Sequence, residues 1–229
     1  NHAAKIRFMT NGKKQVPLTI VSFIARKVGE GSQHTQSLQA VFGHFPGLKV
    51  MMPTTPFNAK GLLISAIEDD DPVIVLYHRA LFDEGKAEVF ENLYRVPIGK
   101  SRMVKSGTDI TIIAVSATVK DAVIVADQLK DRISVEVIDL LSIRPLDREL
   151  IVSSVTKTGR LLVVDTGWKS YGVSAEIIAS IAEKSIGIFK TEPRRICMAE
   201  VPAPATPFLL TNYHPNTAQM IKVVEEMMT

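Results

Sequence analysis

Apolar residues along this chain recur in two alternating periods. Short runs dense in Val, Ile and Leu alternate with stretches where apolar residues return every third or fourth position, the rhythm of parallel strands joined by helices. In the first half, 17–24 (PLTIVSFI) reads as a buried strand, because β-branched residues fill it without polar alternation. Leu38, Val41, Phe42 and Phe45 give a helix over 36–45, stopped by Pro46-Gly47. Strands are expected over 49–52 and 73–76, with a helix over 59–67 capped by Asn58. Residues 5–8 read as the end of a helix closed by an Asn11-Gly12-Lys13 turn. Residues 25–32 read as a loop with two glycines, Tyr77-His78-Arg79 as a basic-aromatic loop, and 81–96 as an irregular charged connection.

The second half repeats the cycle more cleanly. Strands are expected at 109–116, 135–140, 160–165 and 195–199, and helices over 118–130 and from Ser174 to about Ser185. Asp147, just after Pro145, is placed to cap another helix. Asn216 with Gln219 three residues on resembles a capping box for the last helix. Residues 166–172 read as a loop holding the only tryptophan, and 202–207 as a stiff extended segment. The boundary near 97–99 gives two domains, 1–97 and 98–229.

Composition narrows the classes. With 229 residues and 46% apolar content the chain can bury a real core. Its 27 basic and 24 acidic residues leave a net charge of +3, no footprint for nucleic acid or a membrane surface. Cys197 is alone, so no internal disulfide forms and a reducing compartment is expected. No apolar run reaches the roughly 20 residues of a membrane helix, and no secretory signal pattern opens the chain.

Two stretches carry candidate chemistry. His34 follows a Gly29-x-Gly31 loop and precedes the expected 36–45 helix, whose N-terminus favours anions and a neutral imidazole. It is the best catalytic candidate, with Gln33 and Gln36 as side chains able to orient it, no geometry being implied; the competing reading is a histidine that bonds only loop backbone. Residues 66–72 (AIEDDDP) put acids at a helix C-terminus, against its dipole and beside unsatisfied carbonyls. Such oxygens make a nest for a hard cation, or simply a solvated acidic turn. Tyr77, His78 and Arg79 follow a strand, at the edge where parallel sheets take ligands. His44 reads as a helix C-cap, Trp168 as packing or a cavity mouth, and Arg144 as a contact to a partner subunit. There is no P-loop, GxGxxG, GxSxG or HExxH.

The ordered series Gln33-His34-Thr35-Gln36-Ser37, His44, Pro46-Gly47-Leu48-Lys49-Val50, Pro53 and Asn58-Ala59-Lys60-Gly61-Leu62-Leu63 resembles the pattern QHSQS…H-PGLKV–P–DAKGLL. That pattern belongs to the beta subunit of thiamine diphosphate-dependent 2-oxoacid dehydrogenases. Pro97-Ile98-Gly99-Lys100, Glu136-Val137-Ile138-Asp139-Leu140, Arg144-Pro145-Leu146-Asp147, Asp165-Thr166-Gly167-Trp168 and Gly172…Ala175-Glu176-Ile177 are similar to the transketolase C-terminal domain.

The resemblance implies an α/β fold. A parallel-sheet pyrimidine-binding domain, its first half-domain expected to precede Asn1, is followed by a C-terminal α/β domain. It implies a heterotetramer (α2β2) with an alpha subunit, a beta–beta dimer contact, and a lipoyl acyltransferase component as acyl acceptor. The compartment is cytoplasmic, or the mitochondrial matrix in a eukaryote. The implied reaction is decarboxylation of a 2-oxoacid, pyruvate by default, with branched-chain oxoacids and acetoin close behind. His34 would help hand the acyl group to lipoyl. Ala66, Ile67, Asp69 and Asp71 match a structural potassium site, Asp71 replacing the Asn of some relatives. Tyr77 stands where many relatives carry Glu, and Leu141 where Arg is frequent. The magnesium and diphosphate motif, GDG with a following Asn, is absent, and would lie on the alpha subunit. The glutamate that activates the aminopyrimidine would lie before Asn1, so this segment alone is expected to be inactive. The rivals are a transketolase-like ketol transferase and a non-catalytic dimerisation module.

Overall fold

The computed structural model describes residues 1–24, 30–83, 86–184 and 186–229. The strands are β1 (Thr19–Ile24), β2 (Lys49–Met51), β3 (Val73–His78), β4 (Arg102–Lys105), β5 (Ile110–Ala114), β6 (Val135–Asp139), β7 (Ser142–Arg144), β8 (Leu161–Trp168) and β9 (Arg194–Met198). The helices are α1 (His2–Met9), α2 (Gly31–His34), α3 (Gln39–Gly43), α4 (Pro56–Ile67), α5 (Thr118–Leu129), α6 (Arg148–Thr158), α7 (Val173–Ala182), α8 (Pro207–Leu210) and α9 (Thr217–Met228).

Two sheets form. The first has the order β1-β3-β2-β7, the second β4-β6-β5-β8-β9. Pairings are parallel except for β2 with β7 and β4 with β6. Strand β7 lies in the second half of the sequence yet adds to the first sheet, pairing Val50 with Arg144 and Met51 with Ser142. The two halves are therefore joined by backbone as well as by side chains. One apolar cluster runs through that junction, from Val50, Ile74 and Leu76 to Ile113, Leu140, Ile151, Val163 and Ile177. A second cluster seats α5 and α9 on the far face of the second sheet, through Val125, Leu129, Met220 and Val224.

Local chemistry explains most element ends. Asp147 caps α6, accepting from the Leu150 N–H at 3.4 Å, and Gly159 closes that helix at φ +72°, where a side chain would be strained. Asn216 accepts from the Gln219 N–H at 3.0 Å and starts α9. The cap of α4 is not Asn58 but Thr55, whose Oγ1 accepts from the Asn58 N–H at 3.1 Å with Pro56 in the first turn. Asn58 is instead buried, donating to Thr54 Oγ1 at 3.3 Å.

Other expectations shift for tertiary reasons. Strand β1 is not buried: Ile20, Val21 and Phe23 are 42%, 45% and 54% exposed, because β1 packs mainly against β3 and little among the described residues covers its faces. The helix expected over 36–45 contracts to α3, and β3 continues through His78, taking two residues from the expected loop. Strand β8 runs on to Trp168, through part of the expected 166–172 loop. Pro207 opens the short α8 where an extended segment was expected to end. Of the expected 25–32 loop, 25–29 lie outside the described residues, as do 84–85 of the 81–96 connection and Ser185 beyond α7.

Candidate functional site

The carboxyl ends of parallel β1 and β3 open onto a cavity of about 430 Å³ lined by Phe23, Ile24, Glu30, His34 and Arg79. In open parallel sheets this edge is where ligands bind, since the loops there are free to vary. His34 is exposed and ends α2, rather than standing before a helix N-terminus; α3 begins only at Gln39. Gln36 donates to the Gln33 carbonyl at 3.1 Å, so that amide braces the loop rather than the imidazole. What holds the loop is distant in sequence. Ser32 Oγ donates to the Ala203 carbonyl at 2.9 Å, and the neighbouring Gly31 holds φ +75°, which favours glycine. The expected stiff segment 202–207 is thus the support of the His34 loop.

Of Tyr77, His78 and Arg79, only Arg79 lines the cavity. Its guanidinium lies 5.6 Å from the centre of the Phe23 ring, which sits edge-on to Phe82 at 5.6 Å. His78 is buried and its Nδ1 accepts from the Ala80 N–H at 3.2 Å. Tyr77 is half-buried, and burial pushes its phenol up from the ordinary value.

The acidic turn after α4 is compensated from within the chain. Lys49 Nζ lies 2.7 Å from both Asp69 oxygens and 3.7 Å from Asp71 Oδ2, and Arg7 Nε lies 2.6 Å from Asp71 Oδ1. Glu68 forms a two-pronged pair with Arg95 at 2.6 Å, which holds its carboxyl below the usual range. The Ala66 carbonyl accepts from Thr19 Oγ1 at 2.8 Å. Among the described residues no group of three or more His, Cys, Asp or Glu side chains could hold a metal ion.

Asp139 and Asp165 are buried carboxyls to which the sequence reading gave no role. Asp139, at the end of β6, accepts from Thr54 Oγ1 and lies 3.3 Å from Arg102 Nη2. Burial pushes its pKa up from 3.8 to about 6, against the pull of Thr54 and Arg102. Asp165, in β8, accepts from Gln39 Nε2 at 3.0 Å, and burial raises it too. Both join groups remote in sequence, so no local pattern announces them. Arg144, expected to reach a partner, donates to the Gly43 carbonyl at 3.1 Å, and Trp168 Nε1 donates to the Val201 carbonyl at 3.2 Å.

An imidazole and a guanidinium thus share one cavity at the carboxyl edge of a parallel α/β sheet, the edge where such folds usually take ligands. Residues 1–84 match the family described as transketolase, pyrimidine binding domain, and residues 99–220 the transketolase C-terminal domain. The chain belongs to the transketolase-like, thiamine diphosphate-dependent family, among its beta-type subunits. It is 37% identical over its full length to the acetoin:2,6-dichlorophenolindophenol oxidoreductase subunit beta of Cupriavidus necator, covering 68% of that protein. It is 39% identical over 89% of its length to the pyruvate dehydrogenase E1 component subunit beta of Acholeplasma laidlawii, covering 62% of it. A split gene transketolase, solved as an inactive beta4 tetramer, shares the fold with a TM-score of 0.78 and 23% identity, over 93% of this chain and 68% of that one. The chain therefore spans about two thirds of the length of these relatives. Among the described residues no helix is long and apolar enough to cross a membrane.

Proposed function

We propose that this chain serves as the beta subunit of a thiamine diphosphate-dependent 2-oxoacid dehydrogenase, with pyruvate as default substrate. The observation that supports it is His34 and Arg79 sharing one cavity at the carboxyl ends of parallel strands. When bound, the cofactor supplies the carbanion that makes decarboxylation feasible. Among the described residues no group of His, Cys, Asp or Glu side chains could hold a divalent metal; in this reading an alpha subunit would hold the metal and the diphosphate. Arg79 offers a fixed positive charge to a substrate carboxylate, and His34 a proton donor or acceptor where a lipoyl group from an acyltransferase component would enter. This reading carries an α2β2 assembly with a beta–beta contact, in the cytoplasm or the mitochondrial matrix.

The test is the complete complex assembled with an alpha partner. His34→Ala is expected to slow reductive acylation of lipoyl roughly tenfold more than decarboxylation, a difference of about 1.4 kcal/mol in barrier. Equal loss in both half-reactions would remove the role given to His34. Acetoin is a second reading, since the acetoin-type relatives match the whole chain. Arg79→Gln separates the two: KM for pyruvate should rise roughly tenfold, the size of a lost charged hydrogen bond, while KM for uncharged acetoin stays put. An unchanged pyruvate KM would take Arg79 out of the site.

The turn after α4 is proposed to hold potassium through Ala66, Ile67, Asp69 and Asp71. Because Lys49 and Arg7 engage both carboxylates, the carbonyl oxygens of these residues are the set that would contact the ion. Melting of the chain should then come at higher temperature in potassium chloride than in tetramethylammonium chloride. Coincident curves would leave Lys49 and Arg7 as the whole compensation of the turn.

A further inference from the structure

His34 stands on a short bridge between two fixed points, and both points belong to the second half of the chain. Just before it, Ser32 Oγ donates to the Ala203 carbonyl at 2.9 Å, across 171 residues. Just after it, Gln39 Nε2 donates to Asp165 Oδ1 at 3.0 Å, across 126 residues. Asp165 lies in β8, and the Gly167 N–H holds the same oxygen at 3.0 Å. Behind Gln39, α3 packs Ala40 and Phe42 onto the apolar cluster at the junction of the two halves.

Between the fixed points exposure alternates residue by residue. Thr35, Ser37 and Gln39 are 2%, 4% and 1% exposed, while His34 and Gln36 face solvent. Residues 35–38 are not helical, and such chain turns successive side chains to opposite sides. A slip of one residue would therefore take the imidazole from solvent into the protein. The two ends of the bridge differ in strength. Gln39 and Asp165 are almost fully buried, so water does not replace their bond, whereas Ser32 is exposed and water can partly stand in for it. Gly167 leaves room for the buried bond, since a Cβ there would stand 2.7 Å from Gln39 Nε2.

We infer that Ser32 and Gln39 are positioning residues, a clamp by which the second half of the chain sets where the His34 imidazole stands. The inference rests on the acyl-transfer role proposed for His34. Neither residue lines the cavity that His34 and Arg79 share, so each acts through the loop and not by touching substrate. Misplacing a reacting group by about 1 Å can cost about 100-fold in rate, so the clamp need only loosen to be felt.

The test uses the complete complex assembled with an alpha partner and reads two quantities, acylation of lipoyl and amide hydrogen exchange of residues 31–38. Gln39→Met is expected to slow acylation roughly tenfold more than decarboxylation, and to speed exchange of the segment roughly tenfold. Ser32→Ala should do the same about threefold, and Ser32→Thr, which keeps a hydroxyl donor, should retain wild-type values. Gly167→Ala displaces the Gln39 amide without altering Gln39 or Asp165, and carries the buried arm of the test if Gln39→Met fails to fold. Because the clamp acts through His34, Gln39→Met should cost nothing further in acylation once His34→Ala is present. An undiminished loss in that background, or unchanged exchange in Gln39→Met, Gly167→Ala and Ser32→Ala alike, overturns the inference. Normal acylation in His34→Ala would remove the chemistry given to His34, while faster exchange in Gln39→Met would still uphold the clamp on its loop.

Discussion

Lys157→Met is expected to destabilise the chain by about 3 kcal/mol, toward the lower end of what breaking a buried ion pair costs. Glu136 is fully buried in β6, and Lys157, on α6, reaches its carboxylate from the surface. Among the described residues Glu136 also takes a long bond from Thr111 Oγ1, 3.4 Å away, which is itself 2.9 Å from Thr158 Oγ1. Removing the ammonium leaves a buried carboxylate without its cation. The lysine is 45% exposed, so water partly replaces it, which is why the lower figure is expected. Adding Glu136→Gln should recover most of the loss, because an uncharged amide of the same shape no longer needs a cation. Urea unfolding of the wild type, both single variants and the double variant measures the coupling. A loss below about 1 kcal/mol in Lys157→Met would mean that water replaces the ammonium and the pair contributes little.

The second large effect is a pH slope from Asp139. Its folded pKa of about 6 stands above the ordinary 3.8, so the folded chain holds a proton that the unfolded chain has released across that window. Where the folded state binds more protons, stability falls as pH rises. The contribution should be fully present below about pH 3.8 and lost as pH rises through about 6, on the order of 3 kcal/mol in all. Asp139→Asn removes the titration. Its unfolding free energy should therefore run flatter than the wild type's between pH 4.5 and 7, and parallel profiles would show that another group governs the slope. The site matters because Thr54 belongs to the 53–55 loop at the carboxyl end of β2, and Asn58 continues the same chain of hydrogen bonds. Ionisation of Asp139 acts on a clasp between the two sheets, beside the Met52 to Leu141 backbone bond of 2.8 Å.

The pattern of apolar runs and caps determined much of this protein. Strands β2, β3, β5, β6, β8 and β9 and helices α4, α5, α6, α7 and α9 lie where hydrophobic periodicity puts them, because each buries a face that its own sequence defines. Asp147 and Asn216 cap their helices because capping is settled within four residues. The quoted motifs determined the family and with it the prominence of His34.

Tertiary structure decided the rest. β4 (RMVK) and β7 (SIR) carry no dense apolar run to announce them, and they exist because β6 and β2 offer edges to pair with. β1 reads as buried and stands exposed, since a strand's face is covered only if a neighbour arrives. The acidic turn found its compensation in Arg7, 64 residues before Asp71, and the His34 loop its support in Ala203, 171 residues after Ser32. Asp165 meets Gln39 across 126 residues and Asp139 meets Thr54 across 85. Local sequence sets propensity, period and caps, which act over a few residues; burial, charge pairing and the shape of a cavity depend on which distant segments the closed chain brings together.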